Sequence, residues 1–441
     1  MTATVQPPRR LESYVCGGWA PGQKTGATLL DAATGAEVAT IDSTGIDFAD
    51  VLDHGRKAGA GLRAMSFHDR ALMLRALGMA LMERKEEFYT ESFRTGATRA
   101  DGWVDIEGGI GTMLTYASKA RRELPNARVL TEGEVEGLSR DGSFVAQHIL
   151  TPLQGVAVHI NAYNFPVWGM LEKIAPSLIA GMPCVVKPAS QTAYLTELVV
   201  RRIVETGLLP EGAIQLICGS VGDMLDHVTG QDVVTFTGSA ATGQSLRMNA
   251  AIVRNSTRFT MEADSLNASI LGPDAVAGTP EFDLFVKEVA REMTSKAGQK
   301  CTAIRRVIAP RSQVEALIDA LRSRLAKSAP GLPADEATRM GALASLAQRE
   351  EVRARIAELS RVSEIVAGDP NTVTLASGDA DAGAFLNPVL LHAAKPFSAA
   401  AVHEVEAFGP VSTVMPYDDL GEALAATRDK PGAFVKAWVA L

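Results

Sequence analysis

The chain has 441 residues, which is more than one hydrophobic core usually organises, so we expect two or three domains. Hydrophobic residues make up 46% of the chain and charged residues 21%, a composition typical of an ordinary soluble globular protein. The formal net charge of −8, with no local run of Lys and Arg to reverse it, argues against a nucleic-acid-binding surface.

The sequence lacks the signals of export, membrane insertion and metal binding. No apolar stretch is long enough to span a membrane, and the N-terminal residues lack the apolar core of a signal peptide. The 4 cysteines are too widely spaced for a disulfide framework or a zinc pattern, and the 7 histidines include no close pair. We therefore expect a cytoplasmic protein that holds no metal and binds neither membrane nor nucleic acid.

Hydrophobic periodicity predicts three regions in chain order. Residues 40–122 are predicted to be largely helical, with one apolar face formed by Ala71, Leu72, Leu74, Leu77, Leu81 and Met82. Residues 124–150 are polar, turn-rich and alternating, which predicts a hairpin or protruding ribbon. From residue 155, short apolar strands alternate with helices, and a second such region spans about 280–415. This alternation predicts an α/β fold with parallel sheets and right-handed crossovers.

The ends of the predicted strands carry the residues that interest us most. The strands are predicted at 156–160, 184–187, 214–218, 233–236 and 258–261. Ligands of parallel sheets bind at the carboxyl ends of strands, where this chain places Asn164, Lys187 and the turn 237–243. Glycine in that turn lets the backbone approach a phosphate, and a helix N-terminus favours its charge. The GxGxxG fingerprint is absent, but together these strand ends indicate a dinucleotide site.

Cys301 is the candidate nucleophile. It follows a predicted helix that ends near Gly298 and precedes a predicted strand over 303–309, so it lies on a connection between two packed elements. Its surroundings are polar and basic, with Arg305 and Arg306 close behind, and cations favour the reactive thiolate. A thiol together with the carboxylate of Glu262 and the amide of Asn164 suits covalent carbonyl chemistry with a hydrolytic second half.

The other cysteines give a different pattern. A lone cysteine is most often a small buried hydrophobic residue, and Cys184 and Cys218 fit that interpretation because both lie in apolar, strand-like runs. Cys16 gives no signal in either direction. A cysteine hydrolase or acyltransferase could also use Cys301, but it would need a histidine partner that no motif places, and it would leave the strand-end features unexplained.

Six motifs, in order and at consistent spacings, resemble those of the aldehyde dehydrogenase superfamily. They are residues 164–166, 187–188, 236–239, Glu262, 298–301 and 406–411. The sequences of residues 94–112, 259–267 and 294–306 are similar to those of the dehydrogenase half of the bifunctional phenylacetate-degradation proteins. These proteins join an oxepin-CoA hydrolase to a semialdehyde dehydrogenase. The resemblance covers almost the whole chain from about residue 10.

The resemblance implies a particular architecture. It implies two parallel-sheet, Rossmann-like domains with a bridging β-ribbon, and a homodimer or larger homo-oligomer. Residues 1–124 and 151–263 are expected to bind the cofactor, 125–150 to form the oligomerisation ribbon, and 264–441 to form the catalytic thiol domain. That last domain is expected to be incomplete relative to the family, because family members continue well beyond Leu441.

The resemblance also implies the role of each site residue. Cys301 would attack the aldehyde, Asn164 and the Cys301 N–H would hold the oxyanion, and Glu262 would activate the hydrolytic water. The implied cofactor-binding residues are Ile160, Lys187, Ser190, Thr237, Gly238, Ser239, Thr242, Ala263, Glu406 and Phe408. Among these, Lys187 and Glu406 would hold ribose hydroxyls, Ser239 would contact the pyrophosphate, and Phe408 would pack near the nicotinamide.

Two departures from the family pattern bear on function. Many NAD-preferring members carry Glu at the position of Ser190, so its absence predicts NADP as the cofactor, with NAD as the alternative. Ala263 and Asp264 follow Glu262 in place of the usual Leu-Gly-Gly, as in the phenylacetate subgroup. The substrate implied by the resemblance is an aliphatic semialdehyde that carries a CoA thioester. A CoA-acylating dehydrogenase and a truncated, inactive homologue remain the alternatives.

Overall fold

The computed structural model describes residues 9–428 and 435–438. The chain divides into two compact units. The first contains the described residues up to Leu29 together with Val38–Tyr89 and Trp103–Ala263, and the second contains Leu30–Glu37, Thr90–Gly102 and the described residues from Asp264 onwards. The last residues of the chain, on which the expectation of an incomplete catalytic domain rests, lie outside the described residues.

Short strands and then helices form the first part of the chain. The strands are β1 (Arg9–Arg10), β2 (Glu12–Val15), β3 (Gly18–Pro21), β4 (Ala27–Leu30) and β5 (Glu37–Ile41). The helices are α1 (Phe48–Ala64), α2 (Phe67–Glu83), α3 (Lys85–Ser92), α4 (Arg99–Gly102) and α5 (Gly108–Glu123), with a π-helical turn over Trp103–Glu107. The predicted helical stretch over 40–122 is confirmed.

The apolar face of α2 differs from the prediction at one position. Ala71, Leu74, Leu77 and Leu81 are buried, as expected for residues at helical spacing. The prediction that Leu72 shares this face is wrong, since its side chain is 46% exposed. Each residue of an α-helix turns by about 100°, so the position after Ala71 points away from the face that Ala71 occupies.

The predicted ribbon is an antiparallel hairpin of β6 (Leu130–Gly137) and β7 (Val145–Leu150). Nearly every residue of the two strands is exposed, including Val135, Val145 and Ile149. An isolated two-stranded hairpin is at best marginally stable in water, so a surface of this kind usually has a partner. The prediction of a hairpin is confirmed.

The first unit then alternates strands and helices: β8 (Ala157–Ile160), α6 (Pro166–Ile179), β9 (Cys184–Lys187), α7 (Ala193–Glu205), β10 (Ile214–Leu216), β11 (Val233–Gly238), α8 (Ala240–Arg247), α9 (Ala250–Asn255) and β12 (Arg258–Ala263). The sheet order is β12-β11-β8-β9-β10-β2-β3, and the strands from β12 to β10 are parallel. Two of these strands are longer than predicted, because their pairing continues in register to Gly238 and Ala263.

The second unit contains a six-stranded sheet of order β15-β16-β17-β14-β13-β18. Its elements are β13 (Asn267–Leu271), α10 (Pro280–Thr294), β14 (Ile304–Pro310), α11 (Val314–Leu325), α12 (Leu346–Leu359), β15 (Glu364–Ala367), β16 (Val389–His392), α13 (Ala401–Glu404), β17 (Val411–Tyr417), α14 (Leu420–Arg428) and β18 (Val435–Trp438). Every pairing except that of β15 with β16 is parallel. The predicted α/β class with two parallel sheets is confirmed.

The described ranges contain neither a membrane-spanning helix nor a metal-binding cluster. Among the helices of residues 9–428, none combines the length and the apolar character needed to cross a bilayer. The same part of the chain contains no cluster of three or more His, Cys, Asp or Glu side chains arranged to hold a metal ion.

Candidate active site

Four neighbouring strands of the first unit bring most of the predicted cofactor-binding residues to one edge. β12, β11, β8 and β9 lie side by side and run in the same direction, so their carboxyl ends coincide. In the register of these strands Ile160 lies opposite Lys187, and Gly238 lies opposite Ala263. Residues that are far apart in sequence therefore share one edge of the sheet, as the strand-end argument predicted.

Asn164 lies on the connection between β8 and α6, and its side chain is buried. The connection is held by Asp105, whose Oδ1 accepts hydrogen bonds from the backbone N–H groups of Val167 (3.0 Å) and Trp168 (2.8 Å). The first N–H groups of a helix have no intrahelical partner, and a carboxylate there also interacts favourably with the helix dipole. Asp105 thus fixes the start of α6 and the loop that carries Asn164.

Glu262 belongs to a polar network that the sequence did not indicate. The Lys173 ammonium donates to Asn161 Oδ1 (3.0 Å) and to Thr237 Oγ1 (2.6 Å), and the Thr237 hydroxyl donates to Glu262 Oε2 at 3.4 Å. Burial lowers the pKa of Lys173 to about 8, and burial raises the pKa of the adjacent Glu172. Glu262 itself is exposed, so water can reach its carboxylate.

The two charged residues that α6 contributes to this region could have been found from the sequence. Glu172 and Lys173 are the only charged residues in α6, whose other residues are predominantly apolar. Charged groups are rarely placed in such a helix unless they are paired or functional. The apolar periodicity of a sequence predicts where a helix lies. It does not show which distant residues its charged side chains contact, so the role of this pair was not predicted.

The predicted phosphate-binding turn begins at the N-terminus of α8. Ser239 is the N-cap residue, and its Oγ accepts a hydrogen bond from the Thr242 N–H and donates one to Thr242 Oγ1 at 3.0 Å. Both residues are exposed. A β-carbon added at Gly243 would meet the Met261 side chain, so a larger residue here would displace that side chain where α8 packs on β12. This helix N-terminus is open to an anionic ligand.

Lys187 and Ser190 lie together after β9. Lys187 is the last residue of that strand and is half-buried, and burial lowers its pKa. Ser190 is also half-buried and begins a short 3₁₀ turn over Ser190–Thr192. A cationic and a small neutral side chain are therefore three residues apart at the same edge as Gly238 and Ser239.

In the second unit, Cys301 is an exposed residue on a connection whose backbone is firmly held. The α-helix before it ends at Thr294, four residues earlier than predicted, because the backbone of residues 296–298 is left-handed and cannot continue the helix. The Cys301 carbonyl accepts hydrogen bonds from Ser265 Oγ (2.7 Å) and Asn267 Nδ2 (2.6 Å). The side chain of Cys301 is exposed, whereas Cys184 and Cys218 are buried as predicted.

Arg305 joins this connection to the two predicted cofactor residues of the second unit. Its guanidinium donates to the carbonyls of Gly298 (2.8 Å) and Gly409 (2.7 Å), lies 3.6 Å from Glu406 Oε1, and stacks 5.4 Å above the ring of Phe408. The Ser265 N–H donates to Glu406 Oε2 at 3.0 Å. Burial raises the pKa of Glu406, while the Arg305 charge opposes that rise. Cys301, Glu406 and Phe408 are thus held in one cluster.

Arg306 does not lie beside the Cys301 thiol, although its position in the sequence suggested that it would. It is buried in β14 and donates to the carbonyls of Leu266 (2.8 Å) and Ala426 (2.7 Å), and burial lowers its pKa to about 10. The arginine side chains of a strand alternate in direction, so only Arg305 points to the Cys301 connection. Arg306 instead ties β14 to the end of α14.

The chain belongs to the aldehyde dehydrogenase family, whose model matches residues 19–434. Members of this family carry out NAD(P)-dependent oxidation of aldehydes. The family resemblance inferred from the six motifs is confirmed.

Three known proteins show how similar the chain is to individual members. It is 45% identical over 428 residues to the 3,4-dehydroadipyl-CoA semialdehyde dehydrogenase of Aromatoleum evansii, an alignment that covers 97% of this chain and 83% of the relative. The lactaldehyde dehydrogenase of Escherichia coli has the same fold, with a TM-score of 0.85, 23% identity and coverage of 99% and 87% of the two chains. PnpE, in complex with nicotinamide adenine dinucleotide, matches with a TM-score of 0.84, 24% identity and coverage of 98% and 85%.

Replacing Gly298 with Ala should disrupt the Cys301 connection. Gly298 has a φ of 70°, and an added β-carbon would lie 2.1 Å from the Gly409 carbonyl oxygen. Left-handed backbone costs a non-glycine residue about 1–2 kcal/mol, and the clash adds to that cost. We expect Gly298→Ala to lower the urea midpoint of unfolding and to abolish turnover.

Gly111→Ala is the matched control, because a β-carbon at that helical position meets nothing within 4 Å. It should leave turnover close to that of the unaltered protein and the unfolding midpoint unchanged or slightly raised, because alanine is the better helix former by about 0.5–1 kcal/mol. A Gly298→Ala protein that matches Gly111→Ala in both measurements would contradict the close approach to Gly409.

Proposed function

We propose that this protein oxidises an aliphatic semialdehyde carrying a CoA thioester to the corresponding carboxylic acid, as a step in aromatic, phenylacetate-type catabolism. The observation that carries the proposal is Cys301, an exposed thiol on a connection whose carbonyl is held by Ser265 and Asn267, in a chain of this family. The substrate class follows the 3,4-dehydroadipyl-CoA semialdehyde dehydrogenase with which the chain shares 45% of its residues.

The first half of the proposed reaction forms a covalent bond to sulfur. The Cys301 thiolate attacks the aldehyde carbon and gives a thiohemiacetal oxyanion. The Asn164 side-chain amide and the Cys301 N–H hold that oxyanion, and donors of this kind are typically worth about 3 kcal/mol each. A nicotinamide dinucleotide, when bound, would supply the hydride acceptor for this carbon, and Cys301 would then hold the acyl group as a thioester. The fixed backbone of the connection supports the assignment, since an oxyanion donor must be oriented before the reaction.

The second half transfers the acyl group to water. Glu262 removes a proton from the water that attacks the thioester, and Cys301 leaves as thiolate. Two observations support this role: the carboxylate is exposed, and the Thr237 hydroxyl that donates to it also accepts from the Lys173 ammonium. A CoA-acylating enzyme, the alternative, needs no such base because CoA is its acyl acceptor. The presence of Glu262 therefore favours hydrolysis.

The cofactor in this proposal is a nicotinamide dinucleotide, and the residues of both units fit its chemistry. Ser239 and Thr242, at the exposed N-terminus of α8, suit the pyrophosphate, with Thr237, Gly238 and Ala263 at the adjacent strand ends. Ile160 and Lys187 lie beside them and suit the adenosine end. Glu406, accepting from the Ser265 N–H, suits the hydroxyls of the second ribose, and Phe408 provides an aromatic face for the nicotinamide.

We further propose that NADP is the preferred cofactor. Ser190 is small, neutral and half-buried, and it lies three residues after the cationic Lys187. A 2′-phosphate carries a charge of about −1.5 to −2 at neutral pH and would be repelled by a carboxylate at this position. A hydroxyl leaves room for the phosphate and can donate a hydrogen bond to it, while the Lys187 ammonium can neutralise part of its charge.

The proposed assembly is a cytoplasmic homo-oligomer joined through the hairpin of β6 and β7. Val135, Phe144 and Ile149 expose 56%, 62% and 57% of their side chains on this hairpin. Apolar side chains in such number on an exposed ribbon support an interface. A second copy of the chain, with the same ribbon, is the partner we propose.

Replacing Glu262 with Gln should separate the two halves of the reaction. Acylation requires the thiolate and the oxyanion donors, whereas hydrolysis requires the base, so the variant should release one equivalent of reduced cofactor per active site and then stall. Stopped-flow absorbance at 340 nm with an aliphatic aldehyde measures both phases. Cys301→Ala, which lacks the nucleophile, should show neither phase while retaining its affinity for the cofactor. Normal steady-state turnover by Glu262→Gln would remove Glu262 from the mechanism.

Replacing Ser190 with Glu should reverse the cofactor preference. The carboxylate would repel the 2′-phosphate and could accept both hydroxyls of an unphosphorylated ribose, so the ratio of kcat/KM for NADP to that for NAD should fall by about 100-fold, equivalent to about 2.8 kcal/mol. Ser190→Gln is the matched control, because it has the volume of Glu without the charge, and it should change the ratio far less. A preference for NAD in the unaltered protein would contradict this role of position 190. Equal changes in the kcat/KM ratio for Ser190→Glu and Ser190→Gln would contradict it as well, because the residue would then not discriminate the phosphorylated from the unphosphorylated ribose.

A further inference from the structure

The backbone just before Cys301 has an unusual conformation. Lys296, Ala297 and Gly298 have φ angles of 53°, 50° and 70°, so three consecutive residues are left-handed. Only glycine adopts this region at no cost, and each of the other two residues is disfavoured by about 1–2 kcal/mol. Such a turn persists only where its surroundings fix it, and residues of this kind cluster at functional sites.

The peptide groups of Lys296 are held from both directions. Its N–H donates to Asp101 Oδ1 at 2.6 Å, and its carbonyl accepts from the Gln299 N–H and from Gln299 Nε2, both at 3.0 Å. Gln299 is fully buried and its Oε1 accepts from the Ala344 N–H at 3.0 Å. Asp101 is therefore the side chain that holds the N–H at the start of the left-handed turn.

Asp101 is itself fixed by a second set of contacts. Its Oδ2 accepts from the Thr98 N–H (3.0 Å) and the Thr98 hydroxyl (2.7 Å), while its own N–H donates to Thr98 Oγ1. This reciprocal arrangement is a capping box at the start of α4. The carboxylate is buried, so its hydrogen bonds are charge-assisted and little screened by water. Asp101 Oδ2 thus holds the first residues of α4, while Oδ1 accepts the hydrogen bond from the left-handed turn.

The side chain of Lys296 makes a parallel connection to the same segment. Its ammonium donates to Thr95 Oγ1 at 2.9 Å, and the Thr95 hydroxyl donates to the Ser92 carbonyl at 2.7 Å. Lys296 and Thr95 are both buried. The stretch 94–112, distinctive in the sequence but without a role in the chemistry, therefore includes the residues that hold the turn before Cys301.

We propose that Asp101 is a positioning residue for the Cys301 thiol. By accepting a hydrogen bond from the Lys296 N–H, Asp101 keeps the left-handed turn in place. That turn fixes the direction of the Cys301 thiol and of the backbone N–H groups that follow it. The inference rests on the proposed role of Cys301 as nucleophile. Without the carboxylate, the disfavoured residues relax, the loop samples other conformations, and the fraction of time in which the thiol is correctly placed falls.

The test is the reactivity of the thiol in Asp101→Ala. Iodoacetamide alkylation at neutral pH, followed by peptide mass spectrometry, gives separate rates for Cys301 and for Cys16, the other exposed cysteine. We expect the Cys301 rate to fall about tenfold while the Cys16 rate stays constant. With a simple aliphatic aldehyde, kcat should fall by a similar factor, whereas KM for the cofactor should not change.

Asp69→Ala is the matched control. Asp69 forms the same kind of capping box with Ser66 at the start of α2, in the first unit. Loss of a cap alone should leave the Cys301 rate and kcat unchanged. An unchanged Cys301 rate in Asp101→Ala, or an equal fall in Asp69→Ala, would overturn the proposal. Should Asp101→Ala not fold, Asp101→Asn tests the same contacts, because its single amide oxygen cannot accept from both the Lys296 N–H and the Thr98 N–H.

A rescue experiment distinguishes positioning from general stability. Ala297→Gly removes the cost of one left-handed residue without touching any hydrogen bond of the Asp101 cluster. Added to Asp101→Ala, it should restore part of the Cys301 alkylation rate and of kcat; a further loss in both would count against the proposal. Alkylation needs no aldehyde or cofactor, so it tests the role of Asp101 independently of dehydrogenase activity. Absence of that activity in the unaltered protein would refute the proposed function, whereas the alkylation rates alone decide whether Asp101 positions the thiol.

Discussion

The left-handed turn before Cys301 is the constraint on which the arrangement of the candidate active-site residues in the second unit depends. A segment of three left-handed residues is costly, and it is kept by groups from several distant parts of the chain. Asp101 holds its beginning, Arg305 holds the Gly298 carbonyl at its end, and Ser265 and Asn267 hold the Cys301 carbonyl beyond it. Because these bonds run to backbone groups, they fix the connection without occupying the thiol.

Arg305 extends the same constraint to the proposed cofactor contacts. One guanidinium binds the carbonyls of Gly298 and Gly409 and faces Glu406 and Phe408. A planar side chain with five donors is suited to this task, and lysine could not reproduce it. The Cys301 connection and the residues proposed to hold the nicotinamide end of the cofactor therefore share one anchor. In the first unit, β12, β11, β8 and β9 are neighbouring strands, and their shared edge fixes the positions of the other residues proposed to contact the cofactor.

Much of this arrangement could be predicted because it depends on local patterns. The apolar run at 184–187 and the alternating run at 258–261 predict strands, the turn at Ser239 predicts the start of a helix, and parallel pairing then brings the strand ends together. Leu72 was misplaced because it adjoins a buried position without sharing its face. The contacts that hold the site were not predictable in this way. Asp101 and Lys296 are 195 residues apart, and nothing in either local sequence names the other. The positive φ angles of Lys296 and Ala297 are likewise imposed by tertiary contacts, since neither residue type favours them.

The central claim is that Cys301 carries the acyl group between oxidation and hydrolysis. The most direct measurement is the mass of the Cys301 peptide, from protein mixed with an aliphatic aldehyde and oxidised cofactor and quenched in acid within a single turnover. The account predicts a peptide heavier by the mass of the aldehyde less two hydrogen atoms, with the Cys16 peptide unmodified. Reduced cofactor that accumulates without this adduct, or an adduct on Cys16 instead, would contradict it.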